Sequence, residues 1–204
     1  MEGKVTGLVS IGAIPSEFGW VGEPAGVTME GQVLTLTASA LTDWFIDPRS
    51  GATTLNAAAA LCTLPGDFQV SARVEVDFDS TFDAGAIVLW HEDECWAKLA
   101  FEYSPQRQPM VVSVVTRGES DDCNSVEVTS GSIWLRASRI GSAHAFHASH
   151  DGQHWQFVRH FRLNGTGEAR VGFEVQSPTG DGCTARFSDF SYTASTLSDL
   201  RDGS

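Results

Sequence analysis

Residues 68–78 read Phe-Gln-Val-Ser-Ala-Arg-Val-Glu-Val-Asp-Phe. Val70, Ala72, Val74, Val76 and Phe78 fall on one side of an extended chain. Gln69, Ser71, Arg73, Glu75 and Asp77 fall on the other. A period of two over this length specifies a strand with one buried face. Similar runs recur at 33–38, 84–91, 95–103, 109–117, 132–140, 143–149, 154–161, 170–176 and 184–193, separated by Gly, Pro, Asp and Ser. Asp151-Gly152 between two of them is a strong hairpin signal. The one helical-looking stretch, Asn56 to Leu61, is too short to matter. About ten strands without helices predict an all-β, two-sheet antiparallel jelly-roll sandwich. No linker divides the chain, so one domain over 1–204 is expected, with a polar, frayed tail at 195–204.

The chain has 204 residues, enough for a core that needs no disulfide or metal. Its net charge of −13 opposes phosphate backbones and anionic lipid, so neither nucleic acid nor membrane is an expected partner. The start, Met1 to Pro15, lacks a cleavage site of the usual small-residue kind and reads as mature chain of a cytoplasmic protein. Cys62, Cys95, Cys123 and Cys183 form no C-x-x-C pair and read as isolated reduced thiols. No cofactor is expected.

In order along the chain stand Thr42-Asp43-Trp44, Gly66-Asp67-Phe68, Phe82-Asp83-Ala84-Gly85, Trp96-x-Lys98-x-x-x-Glu102 and Ser113-Val114-Val115-Thr116. Then come Ser120-Asp121-Asp122-Cys123-Asn124, Leu135-Arg136-x-x-Arg139, Ser149-x-Asp151-Gly152-x-x-Trp155, Val171-Gly172 and Phe187-x-Asp189-Phe190. Together these pieces resemble domain of unknown function 1349, a family that includes a fungal regulation-of-enolase protein. It belongs to the concanavalin A-like lectin and glucanase superfamily. The resemblance spans residues 10 to 193 or so and implies a jelly roll. It transfers a fold and little chemistry, though the fungal relative leaves a protein partner open.

In that fold one sheet is concave and can hold a ligand. Trp96, Lys98 and Glu102 share the strand face opposite Ala97, Leu99 and Phe101. An indole beside a cation and a carboxylate suits a saccharide or another small polar ligand; the alternative is a solvated face with a weak Lys–Glu pair. Asp83, Asp121, Asp122 and Asn124 are candidate rim residues, and Trp44 is a candidate wall or a core residue. The acids of Gly118 to Asn124, read as a loop, could take Ca²⁺ or sugar hydroxyls, or simply make a tight turn. No metal site is expected from the histidines, since His144 and His147 fall on opposite faces and His150 with His154 offers only an adventitious pair.

Glu75 and Asp79 resemble the acidic strand signature of laminarinase-type glycoside hydrolases, where a carboxylate pair is catalytic. Plain alternation is the favoured reading, since Asp79 is shorter than the expected glutamate and the tryptophan-rich surroundings of that signature are missing. Two classes of function therefore stand: a non-catalytic binding module for a saccharide-like ligand or a protein partner, and a carbohydrate-active enzyme. A facing pair of carboxyls, Glu75 with Asp79 or Glu102 with Asp121, would separate them.

Overall fold

The computed structural model describes residues 9–204; the reading of Met1 to Leu8 as mature chain lies outside them. In chain order the strands are β1 (Val9–Ser10), β2 (Glu17–Val21), β3 (Gly26–Glu30), β4 (Val33–Thr37), β5 (Trp44–Ile46), β6 (Thr53–Leu55), β7 (Ala58–Thr63), β8 (Phe68–Asp77) and β9 (Ala84–Glu92). They continue with β10 (Cys95–Tyr103), β11 (Pro109–Arg117), β12 (Ser120–Glu127), β13 (Ser132–Ile140), β14 (Ala143–Ser149), β15 (Gln156–Phe161), β16 (Arg170–Gln176) and β17 (Thr184–Thr193). An eight-stranded sheet runs β1-β2-β7-β16-β9-β10-β11-β12, and a seven-stranded sheet runs β15-β14-β13-β8-β17-β4-β3. All strand pairs are antiparallel, and the described residues contain no helix. The protein is an all-β sandwich.

The alternation read from β8 sets the core. Val70, Ala72, Val74 and Val76 face inward against Leu99 and Phe101 of β10, Ile87 and Leu89 of β9, and Phe173 of β16. Phe173 lies 5.1 Å from Phe187 and 5.2 Å from Phe190. Strict alternation would send Phe187 and Phe190 to opposite faces. A bulge between Ser188 and Ser191, with Asp189 at φ 48°, resets the register so that both rings enter the core.

Several strands exceed what alternation alone revealed. β7 occupies the Ala-rich run that looked helical: all its residues but Thr63 are buried, so both faces are apolar and the period-2 signal vanishes. The acidic stretch after Gly118 is not a loop but the edge strand β12, paired with β11; charge on an edge is a usual guard against further pairing. The Asp151-Gly152 turn is longer than two residues. Asp151 Oδ1 accepts the backbone N–H groups of Gln153 and His154, both at 2.8 Å, which builds a wider loop.

The tail does not fray. Leu197 is buried, the Arg136 guanidinium donates to the Gly203 carbonyl, and Arg201 lies 4.5 Å over the Phe157 ring. All four cysteines are free thiols; Cys123 is exposed and the others are buried.

Gly85 marks a close approach of the two sheets. A Cβ there would stand 2.8 Å from Ala185 Cβ and 3.0 Å from Val74 Cγ1. Gly85→Val should lower unfolding stability by about 1–3 kcal/mol or more through overpacking. Gly12, whose Cβ would meet nothing within 4 Å, is the control: Gly12→Ala should change the urea midpoint little.

Candidate ligand-binding site

The outer face of the eight-stranded sheet is not solvated. Ala59, Leu61, Ala84, Ala86, Val88, Trp96, Ala100, Val112 and Val114 form a second apolar cluster with Trp44. The β5–β6 hairpin covers it. The Asp43 backbone carbonyl accepts the N–H groups of Asn56 at 3.0 Å and Ala57 at 3.2 Å, and the Trp44 indole donates to the Ala57 carbonyl at 3.0 Å. Ile46 N–H donates to Ser120 Oγ at 2.9 Å, pinning the hairpin to β12.

This cover changes the role of the tryptophans. Trp96 is fully buried, donates to the Asp93 carbonyl at 3.1 Å and packs on Trp44 at 5.8 Å between centroids. Neither indole presents a stacking platform; both belong to the second cluster. The strand-face assignment of Trp96, Lys98 and Glu102 was right, but the short β5 and β6 gave no warning that a hairpin would close over that face.

Lys98 lies under the same cover, 2 % exposed. Its ammonium donates to Asp43 Oδ1 at 2.9 Å, the Trp44 carbonyl at 2.8 Å and Gln176 Oε1 at 2.5 Å, using all three protons. Gln176 passes the tie onward by donating to the Phe82 carbonyl at 3.0 Å. Burial pulls the Lys98 ammonium down, but Asp43, Glu174 and Glu102 together outweigh it and hold it above the usual lysine range.

Beside Lys98 a cavity of about 210 Å³ opens, lined by Asp43, Phe45, Phe82, Lys98, Glu102, Val112, Val114, Asp122 and Gln176. Glu102 borders it; burial raises its carboxyl to about 7, against the pull of Lys98. Glu174 shares the sheet face, opposite Ala86 and Ala59. It is fully buried, neither carboxyl oxygen has a hydrogen-bond partner, and burial raises it also to about 7. The site thus combines one fixed cation, one paired carboxylate and two carboxyls poised near neutrality. It can donate and accept hydrogen bonds, and Phe45 and Phe82 add apolar walls.

Phe82 is unusual. It has φ 70°, is 37 % exposed, and is held there by donating its N–H to the Tyr103 carbonyl at 2.7 Å while Gln176 binds its own carbonyl. A left-handed aromatic residue costs on the order of 1–3 kcal/mol, a strain that clusters at ligand sites.

Of the expected rim, Asp122 lines the cavity, opposite Val114 in register. Asp121 faces the other way and pairs with Arg159 of β15 at 2.8 Å, joining the edges of the two sheets. Asn124 is exposed on β12 and does not line the cavity. Asp83 is fully buried and structural. Its carboxylate accepts from the Ser177 hydroxyl at 2.6 Å and from the backbone of Asp79 and Ser80. Glu75 sits on the outside of the seven-stranded sheet, ion-paired with Arg73 at 2.7 Å, and Asp79 lies beyond the end of β8. Glu75 is in the other sheet from the cavity, and neither it nor Asp79 lines the cavity. Glu102 and Asp121 do not face each other either. No group of three or more His, Cys, Asp or Glu able to hold a metal occurs among the described residues. Asp43, Phe45, Phe82, Glu174 and Gln176 were not singled out from the sequence; Thr42-Asp43-Trp44 and Phe82-Asp83 pointed to two of them only through resemblance.

Residues 20–195 match the family model described as protein of unknown function, DUF1349. The chain belongs to the DUF1349 family. It is 26 % identical over 176 residues to regulation of enolase protein 1 of Saccharomyces cerevisiae, covering 86 % of this chain and 88 % of that one. A crystal structure of a functionally unknown S. cerevisiae protein superposes with a TM-score of 0.81 at 26 % identity, over 87 % of this chain and 96 % of that one. A GH43 protein of Bacillus licheniformis gives a TM-score of 0.66 at 16 % identity, over 88 % of this chain but 37 % of that one. The carbohydrate-binding module CBM66 of Bacillus subtilis gives 0.55 at 10 % identity, over 85 % and 94 %. The last two show the shared sandwich fold.

The raised carboxyls make stability depend on pH. A carboxyl at 4.5 when unfolded and about 7 when folded binds more protons in the native state between those values. Its contribution is fully present below 4.5 and is lost as pH rises to about 7. His144, lowered by burial to about 4, acts in the opposite sense, so a variant must isolate the effect. Glu174→Gln should gain stability relative to wild type across that interval, by up to about 3 kcal/mol. Urea unfolding at a series of pH values measures it; parallel pH profiles for both proteins would refute the assignment.

Proposed function

We propose that this DUF1349 protein is a non-catalytic binding module that holds a small polar, saccharide-like ligand in the cavity beside Lys98. The observation that carries this reading is a strained, partly exposed Phe82 next to a cavity lined by Lys98, Glu102, Asp122 and Gln176. A sugar ring offers apolar C–H faces to Phe82 and Phe45, and hydroxyls to Glu102 and Asp122. The cavity has room for about one ring. Lys98 and Asp43 act chiefly as the fixed floor, since the ammonium protons are already engaged. The sandwich fold shared with a carbohydrate-binding module makes saccharides the first ligands to test.

A second reading is a protein partner, favoured by the relative named for regulation of enolase. Leu41, 63 % exposed at φ 57°, and Phe82 are both held on segments hydrogen-bonded to residues 176–180. Together they would give such a partner an apolar foothold beside the cavity.

A glycan array followed by calorimetry tests the first reading. Phe82→Ala and Glu102→Gln should each weaken a bound saccharide by on the order of 2 kcal/mol, about thirtyfold in Kd, with the fold intact. Unchanged affinity in both would place the site elsewhere. Hydrolysis of the saccharide, lost in Glu102→Gln, would replace the binding module with an enzyme.

A further inference from the structure

A second cavity, of about 280 Å³, lies at the end of the sandwich where the β13–β14 turn meets the β15–β16 connection. Its lining includes His91, Arg139, Gly141, Ser142 and His144. His144 is 4 % exposed, and neither ring nitrogen has a hydrogen-bond partner among the described residues. A buried imidazole with both nitrogens unmatched is costly unless something else fills the space. His91 adds a third buried unpartnered nitrogen, Nδ1, while its ring bonds to the Thr166 backbone.

Charges of both signs surround the cavity, and two of them, Arg139 and Arg162, are guanidiniums that cannot be neutralised. Arg139 makes only long contacts, 3.5 Å to the Gly141 carbonyl and 3.4 Å to Glu168, and so keeps donors to spare. Arg162 donates to Ser142 Oγ at 2.6 Å, which leaves the Ser142 hydroxyl proton free to be donated in turn. Glu168 at Arg139, Glu92 near His91 and Asp67, whose Oδ1 accepts the Gly141 N–H at 2.8 Å, are the acids of this neighbourhood. Two imidazoles alone fall short of a metal site. Arg139, one of the neighbours that after burial disfavour a proton on His144, would also repel a metal cation.

We infer that this cavity binds a small tetrahedral oxyanion, such as a sulfate or phosphate group, through Arg139, Ser142, His91 and His144. Arg139 supplies the fixed charge and Ser142 a hydroxyl donor. The imidazoles act as donors once they take up protons. The histidines are held neutral without the anion, so binding draws protons in and strengthens as pH falls. The site lies apart from the Lys98 cavity and shares no lining residue with it.

Calorimetric titration with sodium sulfate tests this, because sulfate does not titrate near neutrality and any pH dependence belongs to the protein. Ionic strength is held constant with chloride at about pH 6 and about pH 8. Wild type should bind saturably and more tightly at the lower pH. His144→Phe keeps an aromatic ring against Phe161 and should weaken binding about tenfold or more, as should Arg139→Gln. Circular dichroism confirms that each variant folds. No saturable binding at the lower pH, equal affinity at both pH values, or wild-type affinity in a folded His144→Phe would each overturn the site.

Discussion

The ammonium of Lys98 is buried within the sheet's covered face, and the structure around it answers that constraint. An unpaired charge at such a depth costs several kcal/mol. Two segments distant in sequence meet it on β10: Asp43 and Trp44 at the start of the β5–β6 hairpin, and Gln176 at the end of β16. The hairpin is thereby fastened over Trp96 and its apolar neighbours, and Gln176 is turned to hold the Phe82 loop. Remove the ammonium, and the hairpin, the loop and the wall of the cavity lose their common anchor. The negative groups nearby exceed the positive ones, so Glu102 and Glu174 cannot both ionise cheaply, and burial raises them toward neutrality.

The core strands were legible because each buries one face and exposes the other. β8 shows this most clearly, and the inward sets on β8 and β10 fell where alternation placed them. β7 and the outer face of β10 were harder for one physical reason: both of their faces are covered. Alternation records only the difference between faces, and a strand buried on both sides has none. β5 and β6 are too short to show any period. β12 was hidden by its charges, which suit an exposed edge as well as a loop.

The site was legible in part. Lys98 and Glu102 stood out as polar residues on a mid-sheet strand, and Asp122 proved to border the same cavity. Asp121 did not, because neighbours on a strand point to opposite faces and its side chain reaches Arg159 instead. Asp83 shows the opposite lesson. A carboxylate at a strand entrance can be consumed by backbone N–H groups and a serine hydroxyl, leaving nothing for a ligand. Glu174 carried no local signal, since a glutamate between Phe173 and Val175 looks like any outward-facing strand residue. Only the hairpin, placed by contacts remote in sequence, makes it buried.

The central claim is that Lys98 and Asp43 act as a unit holding the hairpin over the sheet. A double-mutant cycle on unfolding free energy, using Lys98→Met, Asp43→Asn and the pair together, measures that coupling directly. Lys98→Met should cost about 3–5 kcal/mol, because it strands Asp43 beside two buried carboxyls. The double variant should cost less than the two single changes combined, by on the order of 1–3 kcal/mol. Costs that simply add, with a coupling indistinguishable from zero, would contradict the account.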